Sequence, residues 1–522
     1  MFKFNKNIYD PKVKIEPIEP LLTDSMVLIS GDFWGIQKFI FDRLSTKNAS
    51  KVLRAKSAFI QIFTEYITKY ICHKLKIDEE YIISESAGKF EIIVPKESID
   101  LKEIQKSIDD YFRDNFYGIN GVVLSAIECK REDFLDEKRY RDLRDIKIPN
   151  QIERDRFKKF DLLKTDYLLE YDTNIDNQTL CKICNIRKID KDDSCKICKK
   201  FKELGRKLTS INHFKSKTDT SRKLTKQKVQ NFKADFINDF SKNIQLTKRV
   251  KSYVPREKDK DEPLDFDEIA KNSCGGKEIG IKSLAVIKAD VDDMGKFLRK
   301  NSDITKDFES FNYFSKGLDS FFSEYIVDIL RERDEKYGNI YTVFTGGDDL
   351  FLIGAWDEVL EFSRFIRNKF REYVNEKLTI SFGIALIKPT YPIARLAEVA
   401  EELLEQSKDL KDKDAITLFN ESVKWDSYLR VYKTLENAFK GYDNIATTTL
   451  YRLIDFCEMS KKVKYENDIK STIWKSKLNY LFYRNMKNSD EQLMKSLSQN
   501  IEESPEETKM FLFEFLYKRR KS

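Results

Sequence analysis

Tyr341-Thr-Val-Phe-Thr-Gly-Gly-Asp-Asp-Leu-Phe-Leu-Ile-Gly354 reads as a β-hairpin that carries two acidic residues at its tip. Apolar, β-favouring residues flank Gly346-Gly347-Asp348-Asp349, and Gly-Gly supplies the positive φ that a short hairpin turn needs. Neighbouring carboxylates on so tight a turn repel each other, and a divalent cation beside them offsets the cost. Metal-dependent phosphoryl transfer requires such an arrangement.

A centre of that kind needs a further carboxylate from an adjacent strand. Leu284-Ala-Val-Ile-Lys-Ala-Asp290-Val-Asp292-Asp293-Met-Gly295 offers it, because Leu284 to Ile287 reads as a buried strand that ends in acids. Between strand and hairpin, Phe308, Phe311, Phe314, Leu318, Phe321, Phe322, Tyr325, Ile326 and Ile329 recur at helical spacing. Beyond the hairpin the pattern predicts a helix over Glu358 to Glu376, a strand over Leu378 to Leu386, a helix over Ile393 to Lys408 and a strand over Ala415 to Phe419. This βαββαβ order predicts an α+β, ferredoxin-like palm with helices on one face, spanning 266–420. In that layout Asp290 meets Asp348 and Asp349, as in polymerase palms and nucleotide cyclases.

The same order occurs earlier. Ser25 to Phe41 reads as a strand running into a helix, Lys51 to Leu75 as a long amphipathic segment, and Tyr81 to Val94 as a hairpin with Ser86-Ala87-Gly88-Lys89 at its tip. A helix over Leu101 to Phe116 and a strand over Gly121 to Ile127 complete a first, degenerate palm at 21–140 that lacks the acid pair. Asp32, the one acid near its first strand's end, is expected to cap a helix. Residues 1–20, with Pro11, Pro17 and Pro20, are expected to form a flexible or docking arm.

Cys181-Lys-Ile-Cys184 and Cys195-Lys-Ile-Cys198 present four thiolates at the spacing of a closed tetrahedral zinc site. Zinc would nucleate a small linker at 141–265 whose apolar content is thin. Cys72, Cys129, Cys274 and Cys457 are expected to be buried thiols. From Lys199 to Lys260 the chain is rich in Lys and Arg, either a phosphate-contacting surface or a solvated linker, and Lys258 to Pro263 is expected to be an exposed loop. Residues 421–522 read as a helical domain whose aromatics, among them Trp425, Tyr428, Tyr432, Phe439, Trp474, Tyr480 and Phe482, pack inside it.

A chain of 522 residues holds several cores, and its net charge of +7 permits nucleic-acid contact without demanding it. No apolar run approaches membrane-spanning length, no signal-peptide core is present, and the sparse cysteines suit a reducing compartment, so a cytoplasmic protein is expected. The chain has no Gly-x-x-x-x-Gly-Lys-Ser/Thr loop, which excludes phosphate binding in the P-loop manner.

Together these features resemble the large polymerase-cyclase subunit of type III CRISPR effector complexes, in its Csm-type branch. Gly31-Asp-Phe-Trp-Gly-Ile-Gln-Lys-Phe-Ile-Phe41 with Leu53-Arg-Ala-Lys-Ser57 looks like that family's first-palm signature. Ala289-Asp-Val-Asp-Asp-Met-Gly295 and Gly346-Gly-Asp-Asp349 look like its second palm, with the four cysteines between them. The resemblance implies two palms, a zinc-bearing linker and a helical bundle. It also implies synthesis of adenylate second messengers from ATP, switched on when an RNA-guided complex of several subunits binds target RNA.

Asp290, Asp348 and Asp349 would hold Mg²⁺ or Mn²⁺, with the Val291 carbonyl as a further ligand. Asp292 and Asp293 would support them or lie at the surface. Gly346 and Gly347 would adjoin the nucleotide. Lys408 and Lys413 fall where related cyclases place triphosphate-binding residues, or else form a solvated turn. Ser86 and Gly88 would line a second ATP site. Family members often begin with an HD-type nuclease, and with only His73 and His213 available the single-stranded DNase activity is expected to be absent. Two alternatives stand beside this reading, a free-standing cyclic dinucleotide cyclase and a non-catalytic RNA-complex scaffold. Whether the adenylate acceptor is ATP or another molecule such as S-adenosylmethionine stays open.

Overall fold

A computed structural model describes residues 2–41, 49–86, 88–96, 99–158, 180–190, 193–212, 252–257, 263–442, 445–485 and 491–520. Most of the basic stretch expected between Lys199 and Lys260, and most of the loop expected at Lys258 to Pro263, lie outside them.

The first sheet is formed by β1 (Met26–Trp34), β2 (Ile82–Ser86), β3 (Lys89–Pro95) and β4 (Gly121–Cys129), in the antiparallel order β2-β3-β1-β4. Helices Ala49–Leu75 and Lys102–Phe116 fill the two crossovers, which completes the ferredoxin-like order. Alternation along the strands buries both faces. Val27, Ile29 and Phe33 meet Phe59, Phe63, Ile108 and Phe112 of the two helices, while Leu28, Ile93 and Ile127 meet Phe134, Tyr140 and Leu143 on the opposite side. Gly31 lies under the Phe90 ring, where an added Cβ would come within 2.0 Å of Cζ, and this close approach lets β1 run on through Asp32. Asp32 therefore caps no helix: it is a strand residue whose carboxylate pairs with Arg156.

The second sheet is larger. Its strands β5 (Leu284–Val291), β6 (Ile340–Gly346), β7 (Asp349–Ala355), β8 (Ile380–Ile387), β9 (Ala415–Leu418) and β10 (Glu421–Lys424) are ordered β10-β9-β8-β5-β7-β6. The four ferredoxin-like strands are antiparallel, and β9 joins β8 in parallel through Phe382↔Ile416 and Gly383↔Thr417. Helix Phe308–Ser320, the π turn Phe321–Tyr325 that continues it and helix Trp356–Tyr373 bury Phe314, Phe321, Phe322, Phe362 and Phe370 with Ala285, Ile287 and Ala289 on one face. The expectation of helices on one face fails for Ile393–Lys408, which packs on the other. There an added Cβ on Gly383 would fall 2.6 Å from the Ala400 carbonyl oxygen.

The amino-terminal residues are docked. Phe4 stacks on Tyr373 at 4.7 Å and sits on Gly317, whose added Cβ would lie 2.2 Å from the ring, and the Asn5 amide donates to the Tyr373 carbonyl at 2.8 Å. Further along, Ile18 and Leu22 enter the core against the outer face of the first sheet. One segment thus straps both palms. The palms also touch directly, with Phe41 against Phe351 at 4.8 Å and the Tyr341 hydroxyl donating to the Ser50 carbonyl at 3.1 Å.

The four-cysteine segment is fused to the first palm. Phe201 of helix Lys196–Asn212 packs on Phe39, Phe59 and Phe116, and Gly205 lets that helix approach Lys51 so closely that a Cβ would sit 2.0 Å from its carbonyl. The thin apolar content of this segment is compensated by the palm core it joins. Of the other thiols, Cys72, Cys129 and Cys457 are buried and Cys274 is half-buried. The carboxy-terminal helices bury Trp425, Tyr428, Phe439, Trp474 and Phe482, whereas Tyr480 is exposed.

An ionic cluster anchors those helices to the second palm. Arg364 grips Glu514 through two hydrogen bonds of 2.9 and 3.1 Å, joined by the Tyr432 hydroxyl at 3.0 Å and Lys518 at 2.8 Å. Burial raises the Glu514 carboxyl, but Arg364 and then Lys518 reverse this and hold it at about 2. Because its folded value lies below the unfolded one, its stabilisation is complete above the ordinary glutamate pKa and is lost as pH falls toward 2. Arg364→Ala, which strands a buried carboxylate, is expected to cost about 3–5 kcal/mol in denaturant unfolding. That penalty should shrink in melts run at progressively lower pH between about 4.3 and 2.

Candidate functional site

The β6–β7 hairpin closes with Gly346 opposite Asp349, leaving Gly347 and Asp348 as its two-residue turn. Only Gly347 has positive φ, at 65°, so one glycine of the pair serves the turn while Gly346 continues the strand. In the register of β5 with its neighbours, Asp290 stands opposite Asp349 of β7 on one side and Ser381 of β8 on the other. Val291 is the last residue of β5. All three sequence-predicted acids therefore occupy one end of one sheet.

These carboxylates lie in a field of lysines. Asp290 pairs with Lys408. Burial pushes Asp349 up to about 6, with Asp290 adding to the rise and Lys288 opposing it. Burial also raises Asp348, again with Asp290 adding, while Lys89 of the first palm pulls it down. Lys288 is itself lowered by burial against the attraction of Asp349 and Asp290, and it pairs with Glu401. Sequence reasoning missed Lys288, although its spacing of two from Asp290 on a strand puts both on the same face.

The following acids have separate tasks. Asp292 is buried, and its carboxylate accepts from Thr379 Oγ1 at 2.8 Å and from the Asp414 amide at 3.0 Å, tying the end of β5 to the loop after the helix. Three successive left-handed residues shape that loop: Asp412, Lys413 and Asp414, with φ of 60°, 45° and 47°. Arg367 clamps Asp414 at 2.6 Å, and Lys413 reaches Asp293 at 2.8 Å. Lys408 and Lys413 thus face different aspartates.

Two cavities flank the hairpin tip. One, of about 660 Å³, lies between the palms and is lined by Ser86, Lys89, Asp32, Arg156, Gly347 and Asp348 among others. The second, of about 290 Å³, is bounded by Ser86, Lys89, Lys288, Asp348, Asp349 and Phe41. Ser86 borders both. Gly88 borders neither: its amide donates to Thr64 Oγ1 at 3.0 Å and its Cα faces Ile36, so packing takes the place expected for a nucleotide.

An all-carboxylate donor set at a strand end suits the hard cations Mg²⁺ and Mn²⁺. The three aspartates share that end of the sheet without closing into a cage, since among the described residues only the four cysteines bring their ligating atoms within 4.8 Å of one another. Cys181, Cys184, Cys195 and Cys198 are all buried, and the Cys184 and Cys195 sulfurs lie 3.9 Å apart. Tetrahedral zinc with ~2.3 Å bonds to sulfur requires sulfurs about 3.8 Å apart. The group therefore fits a closed zinc site, tethered to the palm by Arg187, which donates to the Asn115 carbonyl at 2.6 Å.

Two ferredoxin-like palms set face to face, one of them carrying acids on its central strand and hairpin, define a tandem-palm protein of the polymerase-cyclase type. Family models agree: the Cas10/Cmr2 second palm domain matches residues 283–417 and the Csm1 subunit domain B matches 25–174. Over these two stretches the chain is similar to the Cas10/Csm1 family. It is 25% identical over 503 residues to a Methanocaldococcus jannaschii protein described as the CRISPR system single-strand-specific deoxyribonuclease Cas10/Csm1 of subtype III-A, covering 80% of this chain and 61% of that one. A Streptococcus thermophilus protein of the same description is 24% identical, covering 95% of this chain and 68% of its own. Among solved structures, a Csm1–Csm4 cassette in complex with cA3 matches with a TM-score of 0.68 at 20% identity, covering 95% of this chain and 70% of that one. The cassette in complex with cA4 matches at 0.66 and 19%, covering 96% and 71%.

Metal analysis of the purified chain is expected to find one zinc per molecule. Cys195→Ser should lose it and lower the melting temperature by several degrees, because the helix that packs on Phe59 and Phe116 is then unmoored.

Proposed function

We propose that this chain is the palm subunit of a type III CRISPR RNA-guided complex that, on binding target RNA, joins adenylates from ATP into a cyclic oligoadenylate or a related adenylyl conjugate. The observation that carries this reading is the meeting of Asp348 and Asp349 with Ser86 and Lys89 of the facing palm around inter-palm cavities, with Asp290 opposite Asp349 on the neighbouring strand. A volume of about 660 Å³ is of the size that small-molecule sites have. Relatives of this fold are described in complex with cA3, cA4, AMPPNP and ATP, and as cassettes with Csm4, which supports the substrate class and an assembly partner.

In this reading Asp290, Asp348, Asp349 and the Val291 carbonyl hold Mg²⁺ or Mn²⁺, which supplies Lewis-acid neutralisation of the triphosphate. Lys408 and Lys413 bind phosphate oxygens after exchanging partners with Asp290 and Asp293. Gly346 and Gly347, lacking side chains, leave room beside the tip. Ser86 contributes from the silent palm, together with Lys89. The palms correspond to 21–140 and 266–420, the second extended past its expected boundary by β10 (Glu421–Lys424), the zinc-bearing segment to 141–265 and the helical domain to the helices from Trp425 to 522. The relatives are named as deoxyribonucleases; the two histidines here, His73 and His213, have no adjacent aspartate, so the activity proposed for these residues rests on the palms. Among the described residues no helix is long and apolar enough to cross a membrane, and a cytoplasmic complex suits reduced cysteines.

Assembled with partner subunits and guide RNA, the wild type is expected to consume ATP only after target RNA is added. Asp348→Ala combined with Asp349→Ala should cut turnover by roughly 100-fold or more while the complex still assembles, as chromatography of labelled products and size-exclusion profiles would show. GTP turnover by the isolated chain would favour a free-standing cyclase, and no turnover under any condition a scaffold.

A further inference from the structure

In a two-residue hairpin turn the first central amide points away from its partner strand and takes its acceptor from water or from another element. Here that amide belongs to Gly347, and it donates to Asp319 Oδ1 at 2.8 Å. Asp319 lies near the end of helix Phe308–Ser320, 28 residues before the turn it caps. Its second oxygen accepts from Ser323 Oγ at 3.3 Å, one turn further along. At that point the helix widens into the π turn Phe321–Tyr325, a device often found where a helix must present a particular side chain.

The approach is close. A Cβ added to Gly346 would lie 3.2 Å from Asp319 Oδ1, so a side chain there would crowd the carboxylate that caps the tip. Asp319 itself does not line the cavities of about 660 and 290 Å³ beside Asp348. It borders a separate cavity of about 470 Å³ shared with Thr345, Gly346 and Lys12.

We propose that Asp319 is a positioning residue: by accepting the Gly347 amide it fixes the rotation of the hairpin tip and so aims the Asp348 and Asp349 carboxylates. This deepens the proposed adenylate chemistry and rests on it. What Asp319 needs for the task is a hydrogen-bond acceptor rather than a negative charge, so asparagine can replace it.

The test uses the assembled, target-bound complex with wild type, Asp319→Ala, Asp319→Asn and Ser323→Ala. Asp319→Ala is expected to lower kcat about 10- to 100-fold with KM for ATP within about twofold, since misaiming reacting groups by ~1 Å costs on that order. Asp319→Asn should stay within about threefold of wild type because the acceptor remains, and Ser323→Ala should fall between the two. Amide hydrogen exchange adds a readout that needs no turnover. In Asp319→Ala the peptide containing Gly347 should exchange about tenfold faster, the loss of roughly one hydrogen bond, and in Asp319→Asn it should not. Wild-type kcat in Asp319→Ala would overturn the proposal, as would an Asp319→Asn as impaired as the alanine variant, which would show that the charge itself acts. If Asp319→Ala does not fold, Ser323→Ala and Asp319→Asn decide: wild-type exchange at the tip in the first, or lost protection in the second, would overturn it. A wild-type complex that turns over no ATP sinks the proposed function itself, whatever the variants do.

Discussion

The structure turns on one register: Asp290 of the central strand β5 opposite Asp349 of β7, with Ser381 of β8 on the other flank. Side chains alternate faces along a strand, so a slip of one residue would send these carboxylates into the Phe321 and Phe362 core. Apolar residues on both sides of β5 forbid the slip, since Ala285, Ile287 and Ala289 fill one core while Leu284 and Val286 fill another. The cost of holding like charges together is met locally by Lys408 and Lys288, and across the palm interface by Lys89.

The silent palm therefore acts on the acidic one through position and charge. Its hairpin brings Ser86 and Lys89 to the cavities beside the tip. The amino-terminal strap, the Phe41–Phe351 contact and the buried Tyr341–Ser50 bond hold the two sheets in one arrangement. The zinc-fitting cluster stiffens the same palm from behind, through Phe201 and Arg187. An event elsewhere on such a body reaches the aspartates as a change in the fit between palms, which is the physical form that control by target RNA would take.

Local pattern made much of this legible. The Phe-rich spacing between Phe308 and Ile329 gave the helix, Gly-Gly before Asp348 gave the turn, and two Cys-x-x-Cys pairs gave a four-sulfur site; the order of elements followed. What escaped depends on contacts between distant segments. Nothing near Lys408 names Asp290 as its partner, or near Asp319 the Gly347 amide, because both pairings arise from the crossing of elements in space. Asp32 lies near the expected strand-to-helix junction, which suits a cap, but Gly31 admits the Phe90 ring to a strand that continues through it. Gly88 resembled a ligand-facing glycine, and its tip is instead packed on Ile36.

The most direct test is a crystal structure of the chain with Mn²⁺ and a non-hydrolysable ATP analogue, the metal located by its anomalous signal. The account predicts manganese bonded to Asp290 and to at least one of Asp348 and Asp349, with Lys408 swung onto the triphosphate and the nucleotide between Ser86 and the hairpin tip. Manganese bound away from these carboxylates, or a nucleotide bound outside the space between the palms, would contradict it.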